Sequence, residues 1–237
     1  MYYYSIIIPV YNRPDEVDDL LYSLTRQAYK DFEVLVVEDG STKPCRDVVV
    51  RYEREMNVRY FVIPNGGPSG ARNYGAKESA GDYLLILDSD CVLPDTYLET
   101  IDRSLIQQPV DAFGGPDKSH ESFTPIQKAI SYSMTSFFTT GGIRGGKRKL
   151  DRFYPRSFNM GIRRDVFSSL NGFDTSMRYG EDVDFSMRIV KAGYQTMLIP
   201  EAYVYHKRRT SFPKFFRQVE HSGSARIILS KKYPGSM

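Results

Sequence analysis

The sequence predicts an α/β fold built on a mainly parallel, mixed sheet, with a Rossmann-like first half. Three observations predict it. Short apolar runs alternate with helix-period segments through the first ninety residues, which is the pattern of βαβ units. The runs are continuous rather than alternating, as in strands buried on both faces. Acids and glycine-rich loops follow the runs, where a parallel sheet presents its ligand edge.

The elements follow in order. Ser5–Val10 is an Ile-rich run. In Asp15–Gln27, Val17, Leu20, Leu21 and Leu24 share one helical face. Phe32–Val37 is the second run, and the charged stretch Arg46–Glu55 reads as a solvent-facing helix. Val58–Ile63 is the third strand. Gly70–Ser79 is helical after a Gly/Pro/Ser loop, and Tyr83–Leu87 is the fourth strand. Pro94 opens a helix over Asp95–Gln107, with Leu98, Ile101 and Leu105 inward. From about Ala112 the alternation stops, and residues 114–156 are rich in Gly, Ser, Thr and basic groups. Ser157–Ile162 reads as a strand. Glu181–Ala192 reads as a helix with Val183, Met187 and Val190 on one face and Gly193 just past its end. Thr196–Ile199 and Ala202–Tyr205 are short strands, and the tail from Phe212 to Ile228 mixes Phe, Ile and basic residues. No repeat or linker appears. The expected organisation is one domain of two halves, 1–110 and 111–210, with a basic aromatic tail over 211–237.

Composition excludes several classes. The 237 residues carry 32 Lys plus Arg against 29 Asp plus Glu, a net charge of +3. That balance gives no case for a nucleic-acid-binding protein. Two cysteines, Cys45 and Cys91, exclude a disulfide framework and a cysteine-built zinc site and fit a reducing compartment. No apolar run is long enough for a membrane span, and no basic-then-apolar leader opens the chain. The expected location is cytoplasmic, at the inner face of a membrane.

Five local patterns carry chemistry. Leu84–Leu87 runs into Asp88-Ser89-Asp90, which sets two carboxylates at a strand end. Such a pair needs a cation beside it, and oxygen ligands favour Mg2+ or Mn2+; the alternative is an acidic cap on the next helix. Val34–Val37 leads into Glu38-Asp39-Gly40-Ser41, where an acid can accept from a ribose hydroxyl or a base N–H, or cap a helix. The loop Asn65-Gly66-Gly67-Pro68-Ser69-Gly70-Ala71-Arg72-Asn73 opens a helix whose backbone N–H groups, with Arg72, favour phosphate. It has neither P-loop nor Gly-x-Gly-x-x-Gly spacing. Tyr179-Gly180-Glu181-Asp182 starts a helix, where the acids match the dipole or act as a carboxylate base. His206 follows a strand and precedes Lys207, Arg208 and Arg209. Gly141–Lys149 holds four glycines and four basic side chains, and reads as a surface loop or as a basic lid over an anionic ligand.

Together these patterns resemble the inverting family 2 glycosyltransferases of GT-A fold. The resemblance starts at Ser5-Ile6-Ile7-Ile8-Pro9-Val10-Tyr11-Asn12-Arg13. It continues through Glu38–Ser41, Gly70–Asn73, Asp88–Asp90 and Gly172-Phe173-Asp174 to Gly180-Glu181-Asp182-Val183-Asp184, and covers about residues 4–210. It implies a nucleotide-sugar-binding half (1–110) and an acceptor-binding, catalytic half (111–210). It implies that Pro9 and its turn sit against the nucleotide, with Tyr11 flanking the base and Asp39 bonding it. Arg72 is placed near the diphosphate, and Asp88 at the ribose or a metal-bound water. Asp90 is implied as the direct ligand of Mn2+ or Mg2+, with His206 joining the metal or diphosphate. Asp182 is implied as the general base, with Glu181 as the alternative. The implied donor is a nucleotide sugar, with UDP foremost, and the implied acceptor is a saccharide or lipid-linked hydroxyl in cell-surface polysaccharide or oligosaccharide synthesis.

One departure sharpens this expectation. Processive members carry a late Gln-x-x-Arg-Trp motif, whereas this chain has Gln218-Val219-Glu220-His221 and no Trp, which argues for single-sugar transfer. The basic aromatic tail points to peripheral contact with an anionic membrane, or to packing on the core, and its abrupt end points to further chain toward a membrane. Two other readings stand beside the transferase. A nucleotide-sugar pyrophosphorylase would need a Gly-rich phosphate loop where Tyr11-Asn12-Arg13-Pro14 stands, and a non-catalytic nucleotide-binding relative would tolerate loss of the Asp182 region.

Overall fold

The computed structural model describes residues 1–135, 153–207 and 209–235. The basic stretch 141–149 and Arg208 lie outside the described residues.

The four apolar runs form strands β1 (Tyr4–Val10), β2 (Phe32–Asp39), β3 (Val58–Ile63) and β4 (Tyr83–Leu87). They are connected by helices α1 (Pro14–Thr25), α2 (Arg46–Tyr52) and α3 (Pro68–Glu78). Beyond them come the two-residue strand β5 (Cys91–Val92), helix α4 (Tyr97–Gln107), and strands β6 (Ala112–Gly114) and β7 (Asp117–Lys118). Helix α5 (Pro125–Thr135), strand β8 (Asn159–Arg163), and helices α6 (Arg164–Ser169) and α7 (Glu181–Lys191) follow. The chain then runs through β9 (Thr196–Leu198) and β10 (Val204–His206) into the long helix α8 (Phe212–Lys232).

One seven-stranded sheet has the order β3-β2-β1-β4-β8-β6-β9. Strands β3, β2, β1 and β4 are mutually parallel, and β8 enters antiparallel against both β4 and β6. Successive side chains of a strand face opposite sides. Ile6 and Ile8 therefore share a core with Leu20, Leu24 and Leu98, while Ile7 joins Phe167, Phe173 and Phe185 on the other face. The sheet crosses residue 110 without a break, because β8, β6 and β9 extend the edge that β4 begins. The expected mixed sheet is found, and its antiparallel member is β8.

A second, three-stranded sheet, β5-β10-β7, sits beyond the end of β4. It pairs His206 with Cys91 and Val204 with Asp117. The sequence left this sheet unread apart from β10, because two-residue strands carry no periodicity. It also left α5 and α6 unread. The turn into β7 admits only glycine at one point: a Cβ on Gly115 would lie 1.7 Å from the Ala202 carbonyl oxygen. Asn159 Nδ2 donates to that same oxygen at 2.8 Å. Gly115→Ala is expected to cost about 3 kcal/mol or more through backbone displacement, read as a fall in midpoint on thermal or urea denaturation.

The tail is helical and docked. Ala225 and Leu229 of α8 are buried, and Leu229 and Tyr233 pack on Met187 of α7. Of the two expectations for this segment, packing on the body describes one face of the helix.

Candidate active site

The sheet reverses its strand order beside β1: β2 lies on one side and β4 on the other. In open α/β sheets the crevice at the carboxyl ends of such strands is where ligands bind. A cavity of about 310 Å3 opens there. Its walls include Pro9 and Tyr11 after β1, Asp39 at the end of β2, Arg72 on α3, and Asp88 and Asp90 after β4. The structure therefore brings together six residues that sequence reasoning placed on separate motifs. Arg13 and Arg209 complete the charged lining.

Each acid has a distinct partner set. Asp39 is buried, and its carboxylate accepts N–H bonds from Gly66 at 2.7 Å and Gly67 at 2.9 Å. It thereby shapes the loop that opens α3, whose N-cap is Gly67. Neighbouring Glu38 accepts from Cys45 N at 2.7 Å and from the Tyr60 hydroxyl at 3.0 Å, so it holds the β2–α2 connection. Burial first, and Glu38 second, push the Cys45 thiol well above its ordinary range.

The acids of Asp88-Ser89-Asp90 diverge. Asp88 Oδ1 accepts from Arg72 Nη2 at 3.0 Å. Arg72 Nη1 donates to Glu181 Oε1 at 2.8 Å, and its guanidinium lies 5.2 Å from the Phe173 ring centre. Only 4% of this arginine is exposed. It spans α3, the end of β4 and the start of α7, so the predicted phosphate ligand is seen here as the tie between two site carboxylates.

Asp90 turns the other way. Its Oδ2 accepts from Arg13 Nη1 at 2.8 Å, and His206 Nε2 lies 3.0 Å from Oδ1. Burial pushes the Asp90 carboxyl up, but His206 and Arg13 outweigh it and hold the group well below the usual carboxylate range. The Phe158 ring stacks on His206 at 5.2 Å, and Asp117 Oδ2 is 4.0 Å from Nδ1. Among the described residues, Asp90, Cys91 and His206 offer ligand atoms within 4.8 Å of one another. A carboxylate suits Mg2+ or Mn2+, and an imidazole is a common ligand of divalent transition metals. Cys91 is buried in the core and donates toward the Phe158 carbonyl at 3.5 Å. The donor set fits a divalent cation at Asp90 and His206, with substrate oxygens completing the shell.

The second half supplies the turn Tyr179–Asp182. Gly180 has φ of 78°, and an added Cβ would lie 2.8 Å from Ala225 of α8. Glu181 faces Arg72, as above. Asp182 Oδ2 accepts from Arg156 Nε at 2.6 Å and Oδ1 from Val183 N at 2.8 Å. Burial raises the Asp182 carboxyl, yet the Arg156 guanidinium and its bond more than reverse this, so the group stays ionised. Sequence reasoning missed Arg13 and Arg156 as partners of site acids. Arg13 closes the first motif, but its spacing names no partner, and Arg156 falls in a segment without pattern.

With this geometry in hand, the comparisons decide the family. Residues 5–170 match Glycosyl transferase family 2. The chain belongs to that family. An uncharacterized glycosyltransferase of Haemophilus influenzae is 31% identical over 221 residues, which cover 87% of this chain and 70% of that protein. Glycosyltransferase AglE of Haloferax volcanii is 27% identical, covering 86% of this chain and 67% of AglE. An uncharacterized glycosyltransferase of Rickettsia felis is 33% identical over 141 residues, but only 22% of its length is spanned. Among solved structures, mannosyltransferase PcManGT of Pyrobaculum calidifontis, in complex with GDP-Man and Mn2+, superposes with a TM-score of 0.72 at 19% identity. It covers 93% of this chain and 61% of that one. Residues 1–349 of S. aureus TarS, in complex with UDP-GlcNAc, give 0.69 at 24%, covering 88% and 59%. These likenesses show the GT-A fold. The family match ends at residue 170, so the Glu181-Asp182 turn and α8 lie beyond it.

Removing the buried tie isolates two carboxylates. Arg72→Met is expected to cost about 3–5 kcal/mol, measured by chemical denaturation, and a loss under 1 kcal/mol would show that Asp88 and Glu181 do not depend on it.

Proposed function

We propose that this protein is an inverting, metal-dependent glycosyltransferase. It moves one sugar from a nucleoside diphosphate donor, with UDP foremost, to a hydroxyl of a saccharide or lipid-linked acceptor in the synthesis of a surface glycan. The observation that carries the reading is the meeting of Pro9, Tyr11, Asp39, Asp88 and Asp90 around one cavity at the reversal point of the sheet, with Glu181 joined to that cavity through Arg72. The family and the solved neighbours that hold UDP-GlcNAc or GDP-Man support it. The buried cysteines, Cys45 and Cys91, suit the reducing cytoplasm.

In this reading Tyr11, half exposed at the mouth, flanks the base. Asp39 accepts from it with lone pairs left after its two backbone bonds. Asp88 accepts from the ribose. Asp90 and His206 would hold the cation, with Arg13 bonded to Asp90 beside them. Neutralising the charge on the departing nucleoside diphosphate is the chemistry a divalent cation supplies when bound. Arg209 and Arg72 add positive potential to the same wall.

Asp182 takes the proton of the attacking hydroxyl. A base must be ionised before it can act, and Arg156 keeps Asp182 so. Glu181, engaged by Arg72, orders the turn and is the alternative base. A single displacement with inversion needs base and leaving group on opposite faces of the sugar, which suits a base from the second half of the chain and a cation site from the first.

Three outcomes test this. Asp182→Asn should lower sugar transfer by about 10²–10⁴-fold while leaving nucleotide affinity by calorimetry unchanged; transfer at the normal rate would move the base role to Glu181. Arg156→Gln removes the group that lowers the Asp182 pKa, so burial dominates and the acidic limb of the rate profile should shift to higher pH. A limb that stays in place counts against Asp182. Asp90→Ala should abolish the Mn2+-dependent part of nucleotide binding. A panel of nucleotide sugars, read by nucleoside diphosphate release, identifies the donor. Pyrophosphate-dependent nucleoside triphosphate formation in the same assay would instead mark a pyrophosphorylase, and binding without turnover a non-catalytic relative.

A further inference from the structure

Helix α8 carries two apolar stripes, and only one has a partner among the described residues. The inner stripe is Ala225 and Leu229, continued by Tyr233, against Gly180, Met177, Val183 and Met187. Its end is pinned by charge. Lys232 Nζ lies 2.8 Å from Asp184 and 3.0 Å from Asp174, and the Tyr233 hydroxyl donates to Asp184 at 2.7 Å. Higher up, the His221 ring stacks on Tyr179 with centres 4.1 Å apart. The helix therefore sits in a set orientation on the catalytic turn.

The outer stripe runs down the opposite side. Phe212, Phe216, Val219 and Ile227 recur at spacings of one or two helical turns and lie on one line. They are 51%, 69%, 52% and 61% exposed. Single exposed apolar residues are ordinary, but a line of four along one helix is the mark of a contact surface. Arg226 and Lys231 border the line, whereas Lys214 and Arg217 stand elsewhere around the helix. Helix α8 holds Lys214, Arg217, Arg226, Lys231 and Lys232 against the single acid Glu220. Lys232 is used inward, and the other four are exposed.

We propose that the outward face of α8 docks this protein on an anionic lipid bilayer. Phenylalanine and isoleucine enter the headgroup–acyl boundary, and the flanking Lys and Arg meet the lipid phosphates. The charge pattern favours this occupant. A second copy would set the same excess of positive charge against itself across a two-fold contact, whereas an anionic surface attracts every basic residue near it. An in-plane helix with an apolar line and basic flanks is the form that interfacial binding takes, and no helix among the described residues is long and apolar enough to cross a membrane. The inner face of the same helix grips Gly180 beside Glu181 and Asp182, so docking would orient the acceptor side of the site toward the bilayer. The surface does not depend on the catalytic reading, and its test does not use sugar transfer.

The experiment is vesicle co-sedimentation of the full chain at two salt concentrations, with phosphatidylcholine alone and with phosphatidylcholine containing about one third phosphatidylglycerol. The wild type should partition onto the anionic vesicles only, and more weakly at high salt. Phe216→Ser should weaken partitioning about tenfold, the loss expected for one buried aromatic side chain. Ile227→Ser, at the other end of the line, is the second probe should the first misfold. Circular dichroism and nucleotide affinity check that both are folded. Arg226→Glu with Lys231→Glu should abolish binding to the anionic vesicles. Three results overturn the proposal. One is no partitioning by the wild type. Another is equal partitioning by both serine variants, which leaves only diffuse electrostatics. The third is a wild-type dimer in sedimentation velocity that Phe216→Ser converts to monomer without vesicle binding, which makes the occupant a second copy.

Discussion

The buried guanidinium of Arg72 joins the two halves of this molecule at the point where their chemistry must meet. It bonds Asp88 at the end of β4 and Glu181 at the start of α7, with Phe173 beneath it. An arginine placed there alone would carry a large desolvation cost. Two carboxylates in bonding geometry offset it, and each acid in turn relies on the same cation. The three charges are therefore stable only as a set, which makes the spacing between the cavity and α7 a property of the fold rather than of any ligand. The rest of the site is arranged outward from this tie: Asp90 and Arg13 on one side, Asp182 and Arg156 on the other.

The same rule of paired charge explains how a chain of net charge +3 builds so polar a centre. Asp90 has Arg13 and His206, Asp88 and Glu181 share Arg72, and Asp182 has Arg156. Two of these partners also serve the reading as a transferase. Arg13 neutralises Asp90, and Arg156 holds the Asp182 carboxyl below its ordinary range. Asp39 is held differently, by two backbone N–H groups, so that it defines the shape of the glycine-rich loop while presenting its remaining lone pairs to the cavity.

Helix α8 shows a second economy of construction. Its inner stripe closes over Gly180, whose φ of 78° and contact with Ala225 leave no room for a side chain. Asp184, fully buried one turn into α7, gathers Arg188, Lys232 and Tyr233, so the end of α8 is fastened to the helix that carries Glu181 and Asp182. Its outer stripe is apolar and basic at once. A helix fastened on one face and greasy on the other transmits the orientation of whatever it rests on to the turn it grips.

The sequence by itself determined the βαβ architecture, because each strand and helix is written as a local period: Ile6–Ile8 and Leu84–Leu87 as continuous runs, Val17–Leu24 as a 3.6-residue face. It also determined which residue types reach the ligand edge, since Pro9, Tyr11, Asp39, Asp88 and Asp90 each stand at the end of a strand or directly after it. Tertiary structure decided the partners. Arg72 and Glu181 are 109 positions apart, and Arg13 and Asp90 are 77; no local pattern encodes such pairs. Nor could periodicity report the β5-β10-β7 sheet that brings Cys91 and His206 into register, because a pattern of period two cannot be recognised in strands of two or three residues. The tail was legible as basic and apolar, but which of its apolar residues turn inward depended on where Gly180 leaves space. Periodicity is a property of neighbours along the chain, whereas charge pairing and close packing belong to neighbours in space, and those exist only once the sheet has formed.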